Sequence, residues 1–239
     1  MDLEFGGKTK EPDIRRLFDM KEVIFDQSWL AGAENFELYY MFRDLFLSRA
    51  DEDKLRDQNL RYDITIIPPG TMGKEYIKTA GHYHPLAPGS TVTYPELYEV
   101  LEGEALYLLQ NTDLSDVVAI NATAGDKVLV PPNYGHITIN RSNKILKMSN
   151  FVARDFSSLY GPIKDKGGGA YFFTQDGWVR NPRCPEAGEL RRADAPGGRI
   201  LSRLGLTKGK EMYPLLKEHG RLDYLTRPGD HLDLFSEVI

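Results

Sequence analysis

Residues 125–140, GDKVLVPPNYGHITIN, decide how the rest of the chain is read. Gly125-Asp126 is a turn pair, KVLV is a short apolar strand, and Pro131-Pro132-Asn133 bends the chain. HITIN then resumes an extended run headed by His136. Short strands separated by bends of this kind, with no helical periodicity between them, belong to an antiparallel sandwich or barrel.

The same texture continues on both sides. Runs rich in Ile, Val, Thr and Tyr predict strands at 61–67, 74–83, 96–102, 105–111, 117–121, 126–130, 136–140 and 145–153, followed by a hairpin around Asp176-Gly177. A series of short strands with turn signals between them suits an all-β fold of the double-stranded β-helix or jelly-roll type. Upstream, 36–47 (FELYYMFRDLFL) predicts an amphipathic helix within an otherwise extended arm over 1–59. DEDKLRDQN at 51–59 has no apolar face and predicts a surface loop or a helix end. Beyond Asn181, Pro and Gly recur, a helix-like stretch covers 208–219, and few apolar residues accumulate. The expected division is therefore an arm over 1–59, a barrel over 60–183, and an extension over 184–239 that serves as a lid or dimer arm rather than an independent domain.

Composition bounds the function. The chain has 239 residues, 41% of them hydrophobic, and 30 Lys and Arg against 35 Asp and Glu give a net charge of −5. A chain without a basic block is no general nucleic-acid binder, and it has no polybasic membrane patch. The single Cys184 can form no internal disulfide and has no His partner in a nucleophile motif, which fits a cytoplasmic, reducing compartment. No signal peptide and no run of about 20 apolar residues is visible. Gly167-Gly168-Gly169 lacks the Lys-Ser or Lys-Thr of a phosphate loop and reads as a flexible turn.

The chemistry concentrates in the histidines, of which there are five. His82 and His84, in GHYH, alternate along an extended segment and so face one side together. Glu96 opens the strand ELYEVLEG, and His136 arrives in the quoted segment. Three imidazoles and a carboxylate suit Fe(II), Mn(II), Ni(II) or Zn(II), with positions left open for water or substrate oxygens. A lone strand His is ordinarily structural, and Glu96 alone would be read as a cross-strand ion-pair partner. It is the set that carries the metal reading. His219 and His231 lie in the polar tail and read as surface residues.

These spacings resemble the two motifs of the cupin family. Gly125, Pro131, Asn133, His136 and Asn140 match the second motif, with Asn133 standing where Gly is usual. Asn tolerates the left-handed backbone that Gly would supply. In the first motif the interval from Glu96 to Gly103 matches, while the loop from His84 to Glu96 is longer than usual. More narrowly, residues 14–183 resemble the archaeal, cupin-type glucose-6-phosphate isomerases, through IRRLFDM, PGTMGKEYIKTAGHYHP, ELYEVLEGEALYLLQ, VLVPPNYGHITIN and LYGPIKDKGG closing with VRNPR, in order. That resemblance implies one divalent metal per subunit, Fe(II) or Mn(II), held by His82, His84, Glu96 and His136. It implies that Thr65, Thr79 and Gly81 hold the sugar phosphate, that Tyr98 and Tyr160 line the substrate cavity, and that the protein is a homodimer. The implied reaction interconverts glucose 6-phosphate and fructose 6-phosphate through a cis-enediol, with Glu96 as base and Tyr98 and Tyr160 ordering the substrate. A hydride shift is the mechanistic alternative. Val152 and Ser158 stand where the family commonly has Tyr and His. This keeps open an isomerase or epimerase for another sugar phosphate, alongside a noncatalytic sugar-phosphate-binding cupin or an Fe(II) oxygenase.

Overall fold

The computed structural model describes residues 1–236 and 238. Two large sheets are built from β1 (Asp13–Arg16), β2 (Glu37–Phe42), β3 (Leu60–Ile67), β4 (Glu96–Glu102), β5 (Glu104–Asn111), β6 (Val117–Thr123), β7 (Lys127–Val130), β8 (Tyr134–Ile139), β9 (Leu146–Ala153) and β10 (Leu190–Asp194). The first sheet runs β7-β4-β9-β3-β2-β1 and the second β8-β5-β6-β10. Neighbouring strands are antiparallel except β6 and β10, which are parallel. A smaller sheet joins Thr71–Met72, Glu75–Tyr76, Tyr171–Thr174 and Gly177–Arg180, and a hairpin pairs Leu3–Phe5 with Lys8–Lys10.

Alternation along the strands assigns the two faces. Tyr98 and Val100 of β4, Met148 of β9 and Tyr39 of β2 pack with Tyr107 and Leu109 of β5 and Val118 and Ile120 of β6, so the main core lies between the sheets. The opposite face of the larger sheet, through Tyr62, Ile64, Leu97 and Phe151, packs against Leu201, Leu206, Met212, Leu216 and Leu225 of the tail. With both faces covered, β3 is buried at seven of its eight positions rather than at every second one.

The strands expected at 61–67, 96–102, 105–111, 117–121, 126–130, 136–140 and 145–153 are present, with ends displaced by no more than two residues. The hairpin around Asp176-Gly177 is present as well. Four expectations are corrected. The segment 36–47 is not a helix: its aromatic run forms β2, because Tyr40, Met41 and Phe42 pair with β3. The segment 51–59 is the body of a helix, Arg49–Asp57, capped by the Ser48 hydroxyl and burying Leu55 against the tail cluster. The stretch at 74–83 is not one strand but a two-residue strand followed by isolated bridges at Lys78, His82 and Tyr83, where Gly81 takes φ 77°. The tail is richer in core residues than its Pro and Gly imply, and over 208–219 it makes only a short 3-10 helix, Tyr213–Lys217. Positions 237 and 239 of the expected extension lie outside the described residues. The glycines at 167–169 form a packed turn, since a Cβ on Gly169 would lie 2.7 Å from the Ile137 side chain.

One buried ion pair fastens the tail to the sheet. Lys127 Nζ donates to Glu99 Oε1 at 2.9 Å, to the Gly125 carbonyl at 3.0 Å and to the Lys210 carbonyl at 2.5 Å. The Met212 N–H donates to Glu99 Oε2 at 2.8 Å. Each group is fully satisfied, so the desolvation of both charges is repaid only while the set stays whole. Lys127→Met should lower unfolding free energy by about 3–5 kcal/mol, measured by denaturant titration, because it leaves Glu99 charged and unpaired. The double variant Lys127→Met, Glu99→Gln should recover part of that loss.

Candidate metal centre

Local backbone requirements bring the four candidate ligands together. Residues 82–84 run extended beside the start of β8, where His82 and His136 form an isolated antiparallel bridge. The His82 N–H donates to the His136 carbonyl at 3.3 Å, and the His136 N–H donates to the His82 carbonyl at 3.1 Å. Tyr83 points to the other side, its ring lying on Gly135, where a Cβ would come within 2.7 Å of it. A side chain at 135 would therefore push residues 82–84 away from His136. Asn133 has φ 68°, the left-handed backbone expected of it. Its N–H donates to Thr93 Oγ1 at 2.6 Å and its Oδ1 accepts from the Thr93 N–H at 3.1 Å, which ties the long loop before Glu96 to the bend before His136. Glu96 is fixed at the first position of β4, between Val130 of β7 and Val152 of β9.

The ligand atoms of His82, His84, Glu96 and His136 all lie within 4.8 Å of one another. His82 Nε2 and His84 Nε2 are 3.1 Å apart, and Glu96 Oε2 lies 3.3 Å from His84 Nε2 and 3.2 Å from His136 Nε2. Donors at about 2.1 Å from a common ion stand about 3 Å apart when their angle at the ion is near 90°. His84 Nδ1 is 2.9 Å from the Tyr94 carbonyl, an acceptor, so that nitrogen carries the proton and Nε2 presents its lone pair. Glu96 Oε2 is buried without a hydrogen-bond donor of its own. Burial, reinforced by the neighbouring His136 and His84, pushes the His82 imidazole well below its ordinary range, which favours a neutral ligand. Burial also pushes the Glu96 carboxyl up, but the His136 and His84 imidazoles, 3.2 and 3.3 Å away, outweigh it and hold the group well below the usual carboxylate range. The donor set is that of a divalent transition-metal site.

The remaining expected residues surround the same cavity. Thr65, Thr79, Gly81, Tyr98 and Tyr160 all line it, together with Val152 and Ser158. The Tyr98 hydroxyl is 3.0 Å from His136 Nε2, and burial together with the Glu96 charge pushes its phenol well above its ordinary range, so it stays a neutral donor. The Tyr160 ring lies 5.5 Å from that of His82, just ahead of the short helix Gly161–Asp165. The Thr138 N–H donates to Thr79 Oγ1 at 2.9 Å, which leaves that hydroxyl's own proton available. Tyr39, Arg43, Arg61, Asp63 and Asn150 also line the cavity and escaped the reading of the sequence. The signal was present in the period-two spacing of 61, 63 and 65 along β3, which puts Arg61 and Asp63 on the same face as Thr65.

The family model described as glucose-6-phosphate isomerase matches residues 14–187. A glucose-6-phosphate isomerase from Thermococcus kodakarensis is 31% identical over 192 residues, covering 78% of this chain and 95% of its own. Those from Thermococcus gammatolerans and Pyrococcus abyssi are 32% and 31% identical, each covering 71% of this chain and 86% of its own. Among solved structures, an oxalate decarboxylase from Bacillus subtilis aligns over 52% of this chain and 28% of its own, at 20% identity and a TM-score of 0.37. With a matched segment that contains all four candidate ligands and the strands β2 to β9, this chain belongs to the cupin-type glucose-6-phosphate isomerase family.

Proposed function

We propose that the cavity interconverts glucose 6-phosphate and fructose 6-phosphate by proton transfer through a cis-enediol, with Glu96 as the base. The observation that carries this reading is the convergence of His82, His84, Glu96 and His136 at one end of a cavity that Thr65, Thr79 and Gly81 also line. An aldose–ketose isomerase moves a hydrogen between adjacent carbons of the open-chain sugar, and negative charge develops on the two neighbouring oxygens. A divalent metal held by these four residues, Fe(II) or Mn(II) by family resemblance and Ni(II) or Zn(II) by donor chemistry, supplies Lewis-acid stabilisation of that charge.

The chain's own residues do the rest. Glu96, held ionised, takes the proton from C2 of the open-chain aldose and returns it to C1. Tyr98, a neutral donor beside His136, hydrogen-bonds the sugar oxygens, and Tyr160 orders the sugar from the side of His82. The Thr65 and Thr79 hydroxyls and the Gly81 N–H, which donates to no described residue, receive the phosphate. The working unit in this reading is a homodimer, supported by the exposed Phe18 and Phe36, which lie on segments joined by the Phe18 N–H donating to Asn35 Oδ1 next to the edge strand β1. Val152 and Ser158 in the cavity wall favour a second reading, the same chemistry on a different sugar phosphate.

Two outcomes test the proposal. Conversion of fructose 6-phosphate to glucose 6-phosphate, followed with a coupled dehydrogenase, should vanish on chelation and return with a divalent metal. Glu96→Gln should stay at least about 10²-fold below wild type even after metal is added back; activity that survives chelation contradicts the metal reading. In deuterium oxide, the product should carry solvent deuterium at the carbon that receives the hydrogen. Complete retention of protium there would replace the enediol with a hydride shift.

A further inference from the structure

The wall of the cavity formed by β2 and β3 carries charge that the mechanism above does not use. The pairings of Val152 with both Glu96 and Arg61 put Arg61 in the same cross-strand row as Glu96, two strands away or about 10 Å. Val152, the short residue between them, leaves the guanidinium open to the cavity. Arg61 Nε donates to both oxygens of Asp63, at 3.0 and 2.8 Å, and the Asp44 N–H donates to Asp63 Oδ1 at 2.8 Å. The Asp63 carboxylate is thus an oriented, buried anchor. It draws the guanidinium along β3 toward Thr65. With Nε engaged, Arg61 Nη1 and Nη2 make no hydrogen bond to another described residue. Arg43 stands on the same wall, its Nε 3.2 Å from Asp13, whose side chain is 70% exposed, and its Nη2 donating to Met41 Sδ at 3.2 Å.

Hydroxyls and an N–H bind a phosphate dianion but do not offset its charge in a half-closed cavity. A free guanidinium fork does both, donating two parallel hydrogen bonds to phosphate oxygens. We propose that Arg61 is a substrate-binding residue that grips the phosphate group of the sugar, and that Asp63 is the residue that positions it. The inference rests on the phosphate placement of the preceding subsection and extends it to a residue that spacing and resemblance did not select.

The test uses the metal-loaded full chain. The KM for fructose 6-phosphate and the inhibition constant of inorganic phosphate are measured for wild type, Arg61→Gln, Arg61→Lys and Asp63→Asn. Arg61→Gln should raise both constants by about tenfold or more, with a larger effect on KM than on kcat. Arg61→Lys should recover part of the loss, and Asp63→Asn should raise both constants less than Arg61→Gln does. If Arg61→Gln fails to fold because Asp63 is left unpaired, Arg61→Gln, Asp63→Asn removes both charges and is held to the same expectation. Unchanged KM and phosphate inhibition in these variants, with wild type active, would overturn the role of Arg61 alone. A wild type that neither converts fructose 6-phosphate nor responds to phosphate would instead remove the underlying reading.

Discussion

Three imidazole nitrogens and a carboxylate oxygen share a space less than 5 Å across, and the rest of the molecule is arranged to keep them there. Without a cation the arrangement is costly. The His84 Nε2 lone pair lies 3.1 Å from His82 Nε2, and the buried Glu96 Oε2 has no hydrogen-bond donor. A divalent ion turns the same crowding into coordination. The backbone bridge between His82 and His136, the bare Gly135 beneath Tyr83 and the Asn133–Thr93 pair each remove a way for the cluster to relax apart.

The two sheets give this cluster its rigidity and its access. Glu96 is held between strands on both sides, so the proposed base sits on an interior strand of the larger sheet rather than on a loop. The outer face of that sheet is backed by the tail, which contributes Leu201, Leu206, Met212, Leu216 and Leu225 and is pinned by the Lys127–Glu99 pair. The residue that anchors the tail, Glu99, is three positions along β4 from Glu96 and points the opposite way, so one strand carries the candidate ligand on one face and the brace on the other.

The candidate metal ligands were legible in the sequence because they sit at positions where local rules act: alternation in GHYH, a bend at Pro131-Pro132-Asn133, and a left-handed Asn133. Most barrel strands were legible for the same reason. The helix expected at 36–47 was misread because a segment dense in aromatic and apolar residues satisfies both periods, and only pairing with β3 decides between them. The tail was misread because its apolar residues are scattered among turns, and they assemble only against a surface that the sequence does not display. Arg61 and Asp63 were missed because a charged pair on a strand reads as solvent-facing until both faces of the sheet are known to be covered.

Val152, Ser158, Arg61 and Asp63 also line the cavity, where Arg61 and Asp63 form one oriented charge pair. The proposed chemistry depends on a metal in the cluster. The most direct measurement is an anomalous diffraction map from crystals of active, metal-loaded protein. The account predicts one peak per chain at about 2.0–2.3 Å from nitrogen or oxygen donors of His82, His84, Glu96 and His136. Active protein with no peak at that point, or with its metal elsewhere, would contradict it.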